Sequence, residues 1–341
     1  MLIKKLALIT SILLVIAFAS TWVCVHIGSE KIPFGEINKI IIAKLTGKHL
    51  LESPIETIVW DLRLPRILVA AFVGASLALA GSAFQGILRN PLADPYIVGT
   101  SAGAAVGGVF AIVFNIRGSL LGISAIAVLA FVGAILAMYI VYRISVVGGR
   151  VPVETFLLAG VVVGSFLWAM VSFLLTLAKQ NMQEVIFWLM GSTGSAGWSE
   201  VTMLFIYFII GFTGLMYLSH SLNILTLGDE SAMHLGVEVE RIRNLIIIFA
   251  SLVTAASVAA AGLIGFVGLM IPHVIRRVVG ADHRILIPTS ALAGAIYLMW
   301  VDTAARSILS PREIPVGVLT AIMGAPFFLY LLRNRKRKKE M

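Results

Sequence analysis

Residues 64–88, which read LPRILVAAFVGASLALAGSAFQGIL, decide the fold of this chain. Their one charged residue, Arg66, lies near the start, and the apolar run that follows has the length that crosses a bilayer, about 20 residues. Gly74, Ala78, Ser82 and Gly86 recur every four residues. Small residues at that spacing let helix backbones approach closely, so the stretch predicts a transmembrane helix packed inside a bundle.

The rest of the chain has the same character. Its 341 residues are 59% hydrophobic and only 13% charged, whereas soluble domains are about 25% charged. This composition excludes a soluble globular enzyme and predicts an all-α polytopic membrane protein with a single domain over residues 1–341. We predict ten transmembrane helices, near residues 6–27, 64–88, 95–115, 119–142, 155–178, 201–220, 242–262, 264–279, 285–305 and 315–332.

Charge sets the orientation. With ten spans and an inner N-terminus, 16 of the 26 Lys and Arg residues fall on the inner side, which agrees with the positive-inside rule. We therefore predict that both termini are cytoplasmic and that residues 333–341 form a basic cytoplasmic tail attracted to anionic lipid. The net charge of +9 is explained in this way, without nucleic acid as a partner.

Residues 28–62 are predicted to form a segment on the outer face. Phe34, Ile37, Ile40, Ile41 and Leu45 recur within it at helical spacing. This pattern predicts a short amphipathic helix lying on the outer interface, and it fits an ordinary surface helix equally well.

The motifs of catalysis are missing from the sequence. The Gly-rich residues 99–103 lack the Gly-Lys-Ser/Thr ending of a phosphate-binding loop, and that triplet occurs nowhere in the chain. The six histidines show no metal-ligand spacing, and no Gly-x-Ser-x-Gly is present. We therefore expect no catalytic centre, no metal site and no bound cofactor.

The middles of the ten predicted spans contain no Asp, Glu, Lys or Arg. Ion-coupled carriers usually place such residues at mid-membrane depth, because the coupling ion binds there. Asp302 and Arg306 are four apart near a span end, and we expect them to form a local ion pair. Energy for transport is then expected from another protein. An ion-coupled secondary transporter of a small organic solute and a lipid-modifying enzyme are the alternatives.

Three motifs occur in a defined order. Residues 61–66 read DLRLPR, residues 89–95 read RNPLADP, and residues 262–273 read GLIGFVGLMIPH before ADHR at 281–284. In this order and spacing the chain closely resembles the FecCD family, the permease subunits of ABC importers for iron-siderophore complexes, haem and cobalamin. The resemblance extends from about Arg63 to Leu332.

The resemblance implies the type II ABC importer permease fold and a homodimer around a central pathway. It also implies two ATPase subunits, which bind ATP and Mg, and a periplasmic or lipid-anchored substrate-binding protein. The expected location is the cytoplasmic membrane of a bacterium or archaeon. A chain without a nucleotide site suits this division of labour. The expected cargo is an iron-siderophore complex first, then cobalamin or haem.

Residues 227–241 are predicted to be the cytoplasmic loop that contacts the ATPase. Gly228 and Gly236 bracket a short helix with acidic residues in its first turn, where negative charge suits the helix dipole. A solvated turn is the alternative, but it leaves the apolar residues unexplained. The residues assigned to coupling, largely by the resemblance, are Asp229, Glu230, Ser231, Ala232, Met233, His234, Leu235 and Gly236.

The resemblance also assigns two further sites. Arg63, Arg66 and Arg306 match arginines that receive glutamates of the binding protein, and guanidinium groups pair well with carboxylates. Alternatively, Arg63 and Arg66 anchor a helix end among phosphates. The cytoplasmic gate is assigned to the loops after spans two and four, at Asn90, Pro91, Leu92, Val153 and Glu154. Val153 and Glu154 depart from the small hydroxyl residues found there in the cobalamin importer.

Overall fold

A computed structural model describes residues 2–28, 30–47, 53–120 and 122–337, and most of these residues are helical. Residue 29 and residues 48–52 of the outer-face segment, and residues 338–341 of the basic tail, lie outside the described residues. The helices are α1 (Leu2–His26), α2 (Phe34–Leu45), α3 (Pro54–Glu56), α4 (Leu64–Ile87), α5 (Thr100–Val113), α6 (Ala125–Ser145), α7 (Val153–Leu177), α8 (Met182–Leu189), α9 (Trp198–Leu225), α10 (Asp229–His234), α11 (Val239–Ala261), α12 (Val267–Val279), α13 (His283–Ser307) and α14 (Val316–Arg337).

Three short elements connect these helices. A π-helical segment, Thr57–Arg63, leads directly into α4, and a 3₁₀ turn, Pro95–Val98, precedes α5. The strands β1 (Ser119–Leu120) and β2 (Ile123–Ser124) pair antiparallel between α5 and α6.

Helix α4 lies at the centre of the bundle. It packs against α9, α11, α12 and α13, and most of its side chains are buried. The small-residue prediction is confirmed at Gly74, where a Cβ atom would lie only 2.2 Å from the carbonyl oxygen of Gly294. Any side chain at Gly74 would therefore force α4 and α13 apart. Gly103 on α5 and Gly133 on α6 meet in the same way.

Seven helical segments in the described part of the chain are long and apolar enough to cross a membrane. They are Leu6–His26, Pro54–Ile87, Ala125–Ser145, Val153–Leu177, Trp198–Leu225, Val239–Ala261 and His283–Ser307. Each matches one predicted span. The other three predicted spans contain shorter helices, α5, α12 and the apolar part of α14, Val316–Tyr330. At about 1.5 Å per residue, α5 and α12 extend about 20 Å, less than the ~30 Å hydrocarbon core.

The two short helices α5 and α12 begin inside the protein, at breaks in the helical backbone. Gly99 and Phe266, the residues before them, both have positive φ values, +79° and +67°. The Tyr96 hydroxyl lies 3.1 Å from the carbonyl oxygen of Ile264 and 3.2 Å from its amide nitrogen. Irregular backbone at membrane depth is tolerated only where protein satisfies it. The tyrosine therefore joins the two breaks and supplies the missing backbone partner.

The outer-face segment contains the predicted amphipathic helix, α2. Ile37, Ile40 and Ala43 are buried, whereas Phe34 and Leu45 are exposed. The buried face packs against the end of α1 and the start of α4.

Candidate functional site

The predicted docking residue Arg66 lies at the N-terminal end of α4, in a buried ion pair with Asp302 of α13. The Nε atom of Arg66 donates to both Asp302 oxygens, at 3.1 and 3.2 Å, and Nη2 donates to Oδ1 at 3.0 Å. Asp302 is fully buried and also accepts a hydrogen bond from the Thr193 hydroxyl. Charge-assisted hydrogen bonds of this kind fix geometry as well as charge, so Arg66 is held in one orientation.

A second carboxylate binds Arg66 from the surface. The Nη1 atom of Arg66 donates to Glu313 at 2.8 Å, and the Glu313 side chain is 47% exposed. Glu313 lies in the link between α13 and α14. The expectation that Asp302 pairs with Arg306 is wrong: Asp302 points toward α4 and pairs with Arg66, while Arg306 reaches in another direction, toward α1.

Arg63 and Arg306 hold the end of α1. Arg306 Nη2 donates to the Cys24 carbonyl oxygen at 2.7 Å, and Arg63 Nη1 donates to that of Val25 at 3.3 Å. The last carbonyl groups of a helix have no partner within the helix and carry partial negative charge, so cations suit them. Arg63 also donates to the carbonyl of Glu30. All three predicted docking arginines are thus buried and engaged within the subunit.

We call Arg63, Arg66, Arg306, Asp302 and Glu313 the outer arginine network. The structure brings the three arginines together, since Arg63 and Arg306 donate to neighbouring carbonyl oxygens of α1 and Arg66 lies three residues after Arg63. The three arginines face the carboxylates of Asp302 and Glu313, and the Glu30 carboxylate acts on Arg63 from the segment after α1. Glu313 and Thr193 were missed by the sequence analysis, and no short-range signal marks either residue.

The predicted coupling helix exists as α10 and has one buried and one exposed apolar face. Ala232 is fully buried, whereas Met233 and Leu235 are 50% and 61% exposed. Gly228 and Gly236, which flank it, have φ values of +121° and +79°, a region that favours glycine. The helix therefore forms a knob whose exposed apolar side chains are available to a partner. A groove of about 460 Å³ beside it is lined by Asp229, Met233, Glu240 and their neighbours.

Asp229, the first residue of the knob, bridges two arginines from different helices. Its Oδ2 atom accepts from Arg243 Nη2 of α11 at 2.8 Å, and its Oδ1 atom accepts from Arg89, two residues after the end of α4. Burial raises the pKa of Asp229, but the hydrogen bonds and charges of Arg243 and Arg89 outweigh it and hold the pKa below the ordinary 3.8. Asp229 is therefore ionised at neutral pH.

Arg243 extends this contact to the loop before α7. It is only 4% exposed on its side chain, and its Nη1 atom donates to Glu240 at 2.9 Å and to the Val151 carbonyl oxygen at 3.2 Å. Glu240 in turn accepts from the Val151 amide at 3.0 Å. We call Arg89, Asp229, Glu240, Arg243 and the Val151 backbone the inner ion network. The i, i+3 spacing of Glu240 and Arg243 was the one sequence signal for it.

The predicted gate residues lie at the two ends of this network. Asn90, Pro91 and Leu92 form the turn after Arg89, where Asn90 Oδ1 accepts from the Leu92 amide at 2.9 Å. Val153 and Glu154 follow Val151. They were expected in the loop after α6, but they are the first two residues of α7. Pro152 precedes them and suits a helix start, since it has no amide to leave unpaired. The network thus connects the knob to both predicted gate segments.

The ADHR motif caps α13. Asp282 accepts from the Arg284 amide at 3.0 Å, and its side chain also binds the Arg284 guanidinium and Asn223 of α9. Hydrogen bonds from Arg284 and then Asn223 hold the pKa of Asp282 well below its usual range, although burial acts in the opposite direction. The motif therefore has a structural role that joins α13 to α9. Within residues 2–28, 30–47, 53–120 and 122–337, no cluster of three potential metal ligands occurs.

Comparison with known proteins extends the resemblance to most of the chain. The FecCD transport family model matches residues 12–334. The cobalamin import system permease protein of Halobacterium salinarum is 46% identical over 283 residues, covering 82% of this chain and 74% of the relative. The hemin transport system permease protein of Yersinia pestis is 39% identical over 287 residues, covering 82% and 85%. A solved metal-chelate type ABC transporter, in an inward-facing conformation, matches with a TM-score of 0.82 and 33% identity over 96% of this chain and 99% of the other.

Proposed function

The chain belongs to the FecCD transport family and is a permease subunit of an ABC importer for metal chelates, and we propose that its cargo is an iron-siderophore complex. The observation that carries the proposal is the family match over residues 12–334. The relatives named above carry cobalamin and hemin, which are whole chelates. The same kind of cargo is proposed here, with cobalamin and haem as the next candidates.

We propose that two copies of the chain enclose the pathway. Helices α7 and α14 expose apolar side chains such as Phe166, Phe173, Ile322 and Leu329. In a membrane such surfaces face lipid or another protein. One face of these helices is assigned to the second copy and the rest to lipid. Both termini are placed in the cytoplasm, as the distribution of basic residues favours, in the cytoplasmic membrane of a bacterium or archaeon.

The knob α10 is proposed as the site where each copy meets an ATPase subunit. Its exposed Met233 and Leu235 supply apolar contact area, and its buried Ala232 fixes it to the permease. When ATP binding moves the knob, Asp229 pulls on Arg89 and Arg243 together. The turn at Asn90–Leu92 and the start of α7 at Val153 then move as one unit, which opens or closes the cytoplasmic gate.

The outer arginine network is proposed as the docking site of the substrate-binding protein. Arg66 is the residue with a guanidinium edge toward the surface. Arg63 and Arg306 contribute positive potential, which steers an acidic partner and sets its orientation.

Uptake in proteoliposomes tests the cargo. The permease is reconstituted with its ATPase and binding protein, and ⁵⁵Fe-siderophore, ⁵⁷Co-cobalamin and hemin are supplied at equal concentrations. We expect ATP-dependent accumulation of the iron-siderophore complex at least tenfold above the other two. Preferential accumulation of cobalamin or hemin would refute the proposed cargo and retain the importer.

A further inference from the structure

We propose that Glu313 is an internal substitute for a carboxylate of the docking partner. The Glu313 side chain occupies the surface edge of Arg66 until an acidic side chain of the binding protein displaces it. This inference rests on the proposed function. It adds a residue to the docking site and predicts an exchange of carboxylates on one guanidinium.

Arg66 is divided into a fixed edge and an open edge. Its Nε and Nη2 atoms bind Asp302, which is fully buried and also held by Thr193. The remaining Nη1 atom binds Glu313 at 2.8 Å. Because Asp302 fixes the guanidinium plane, Arg66 cannot turn toward a new ligand. A partner's carboxylate must therefore approach Nη1, where Glu313 already lies.

Glu313 is placed so that it can leave. Its side chain is 47% exposed, against 0% for Asp302. The backbone just after it is anchored, since the Ile314 amide donates to the Ala305 carbonyl oxygen at 3.0 Å and Val316 is buried. Release of Glu313 therefore requires movement of its side chain and of the exposed turn before it, while α14 stays in place.

A glycine lies beside the Nη1 edge. A Cβ atom at Gly194, in the link between α8 and α9, would lie 3.3 Å from Ser192 Oγ, 3.5 Å from Glu313 Oε2 and 3.7 Å from Arg66 Nη1. Because Gly194 has no side chain, it places no bulk against the carboxylate that occupies this edge, and a carboxylate that replaces Glu313 meets the same open contact. Arg63 and Arg306 are not equivalent receptors, because their hydrogen bonds go to backbone carbonyls at the end of α1.

An internal carboxylate makes docking selective. A tethered group competes at an effective concentration in the millimolar range, so weakly bound anions do not occupy Arg66. A carboxylate presented by a complementary protein surface replaces Glu313 without loss of a charge-assisted hydrogen bond. Specificity of this kind combines an attractive contact for the right partner with a cost for others.

The test measures docking of the purified substrate-binding protein of the same import system to the permease–ATPase complex in nanodiscs. The variant is Glu313→Gln, and the matched control is Asp61→Asn. Asp61 is an exposed carboxylate near the outer start of α4, so both variants add one positive charge to this face, but only Glu313 contacts Arg66. We expect Glu313→Gln to tighten docking about tenfold, the worth of one charge-assisted hydrogen bond, and Asp61→Asn to change it less than twofold.

Hydrogen exchange supplies a second measurement. In the wild type, amides of the turn at residues 309–313 should exchange faster once the binding protein docks, and in Glu313→Gln they should be fast already. Unchanged docking by Glu313→Gln, or equal tightening by both variants, would overturn the inference while the importer function stands. Failure of the wild-type complex to bind the binding protein at all would overturn the docking proposal together with the inference.

Discussion

Replacement of Asp229 by Asn should uncouple ATP hydrolysis from transport. The change keeps the size of the side chain but removes the charge that joins Arg89 to Arg243. A hydrogen bond to a charged group contributes about 1.5–3 kcal/mol. Because the Asp229 side chain is 42% exposed, the lower end of this range applies to its bond with Arg243. In the pair with Arg89 both side chains are exposed, so this pair adds at most about 0.5 kcal/mol. The sum, about 2 kcal/mol, corresponds to about a 30-fold shift in the attachment of the knob.

The assay is the number of cargo molecules accumulated per ATP hydrolysed by the full importer in proteoliposomes. The matched control is Glu238→Gln, which removes one negative charge from the same loop. Glu238 pairs only at the surface with Arg241, and both side chains are at least 70% exposed. We expect the cargo-to-ATP ratio to fall at least tenfold in Asp229→Asn and less than twofold in the control.

Assembly of the variant with the ATPase must be checked by gel filtration, since loss of assembly also lowers transport. A double-mutant cycle with Arg243→Gln then separates the pair from the single effects. Measured coupling close to zero, or a wild-type ratio in an assembled Asp229→Asn importer, would refute a role of the inner ion network in transmission.

Three further predictions follow from contacts elsewhere in the chain. Gly74→Val should destabilise the permease by about 3 kcal/mol, the upper end for overpacking. Gly164→Val should destabilise it only slightly, because a Cβ atom at Gly164 meets nothing within 4 Å in this chain. Thermal melting in detergent compares the two variants, and equal melting temperatures would contradict the close α4–α13 contact. Asp282→Ala should lower stability by about 0.5–2 kcal/mol through loss of the α13 cap. Because the pKa of Asp282 is lowered in the folded protein, the stability that its ionised form contributes is complete above the unfolded pKa near 3.8 and is lost as pH falls through the lower folded pKa. The difference in melting temperature between the wild type and Asp282→Ala should therefore stay constant from about pH 5 to 8. A strong pH dependence of that difference in this interval would contradict the prediction. Arg306→Gln should loosen the end of α1, with faster amide exchange near Cys24–His26, and unaltered exchange would show that the Arg306–Cys24 hydrogen bond is dispensable.

The positions of the long helices could be predicted from the sequence because each is an apolar run of bilayer length bounded by charge or by Gly and Pro. The small-residue spacing on α4 also predicted its close packing, since only glycine permits the contact between Gly74 and Gly294. The short helix α10 was predictable from its flanking glycines and first-turn acids.

The lengths of α5 and α12 could not be read in this way. Their apolar runs continue through irregular backbone, and the backbone of Ile264 before α12 is satisfied by Tyr96, which lies 168 residues away in the chain, in the turn before α5. Hydropathy records that the residues are apolar, but it does not record where the helix begins. The prediction of ten full crossings therefore counted runs that contain short helices.

The partners in the ion pairs could not be predicted either. Asp302 and Arg306 have the spacing of a local pair, yet Asp302 binds Arg66, 236 residues away in the chain. Arg89 and Asp229 are 140 residues apart. Local spacing gives only the nearest candidate, whereas the packing of α4 against α13 and α9 decides which charges meet. The outer arginines were identified by resemblance, and their burial within the subunit became apparent only from the fold.

We propose that this chain conducts its cargo only when a separate ATPase drives it. The most direct measurement is uphill accumulation of ⁵⁵Fe-siderophore in liposomes that contain the purified chain alone, compared with liposomes that contain the chain with its ATPase and binding protein. We expect ATP-dependent accumulation in the complete system and none by the chain alone, with or without an ion gradient. Sustained accumulation by the chain alone, abolished when the proton or sodium gradient collapses, would contradict it.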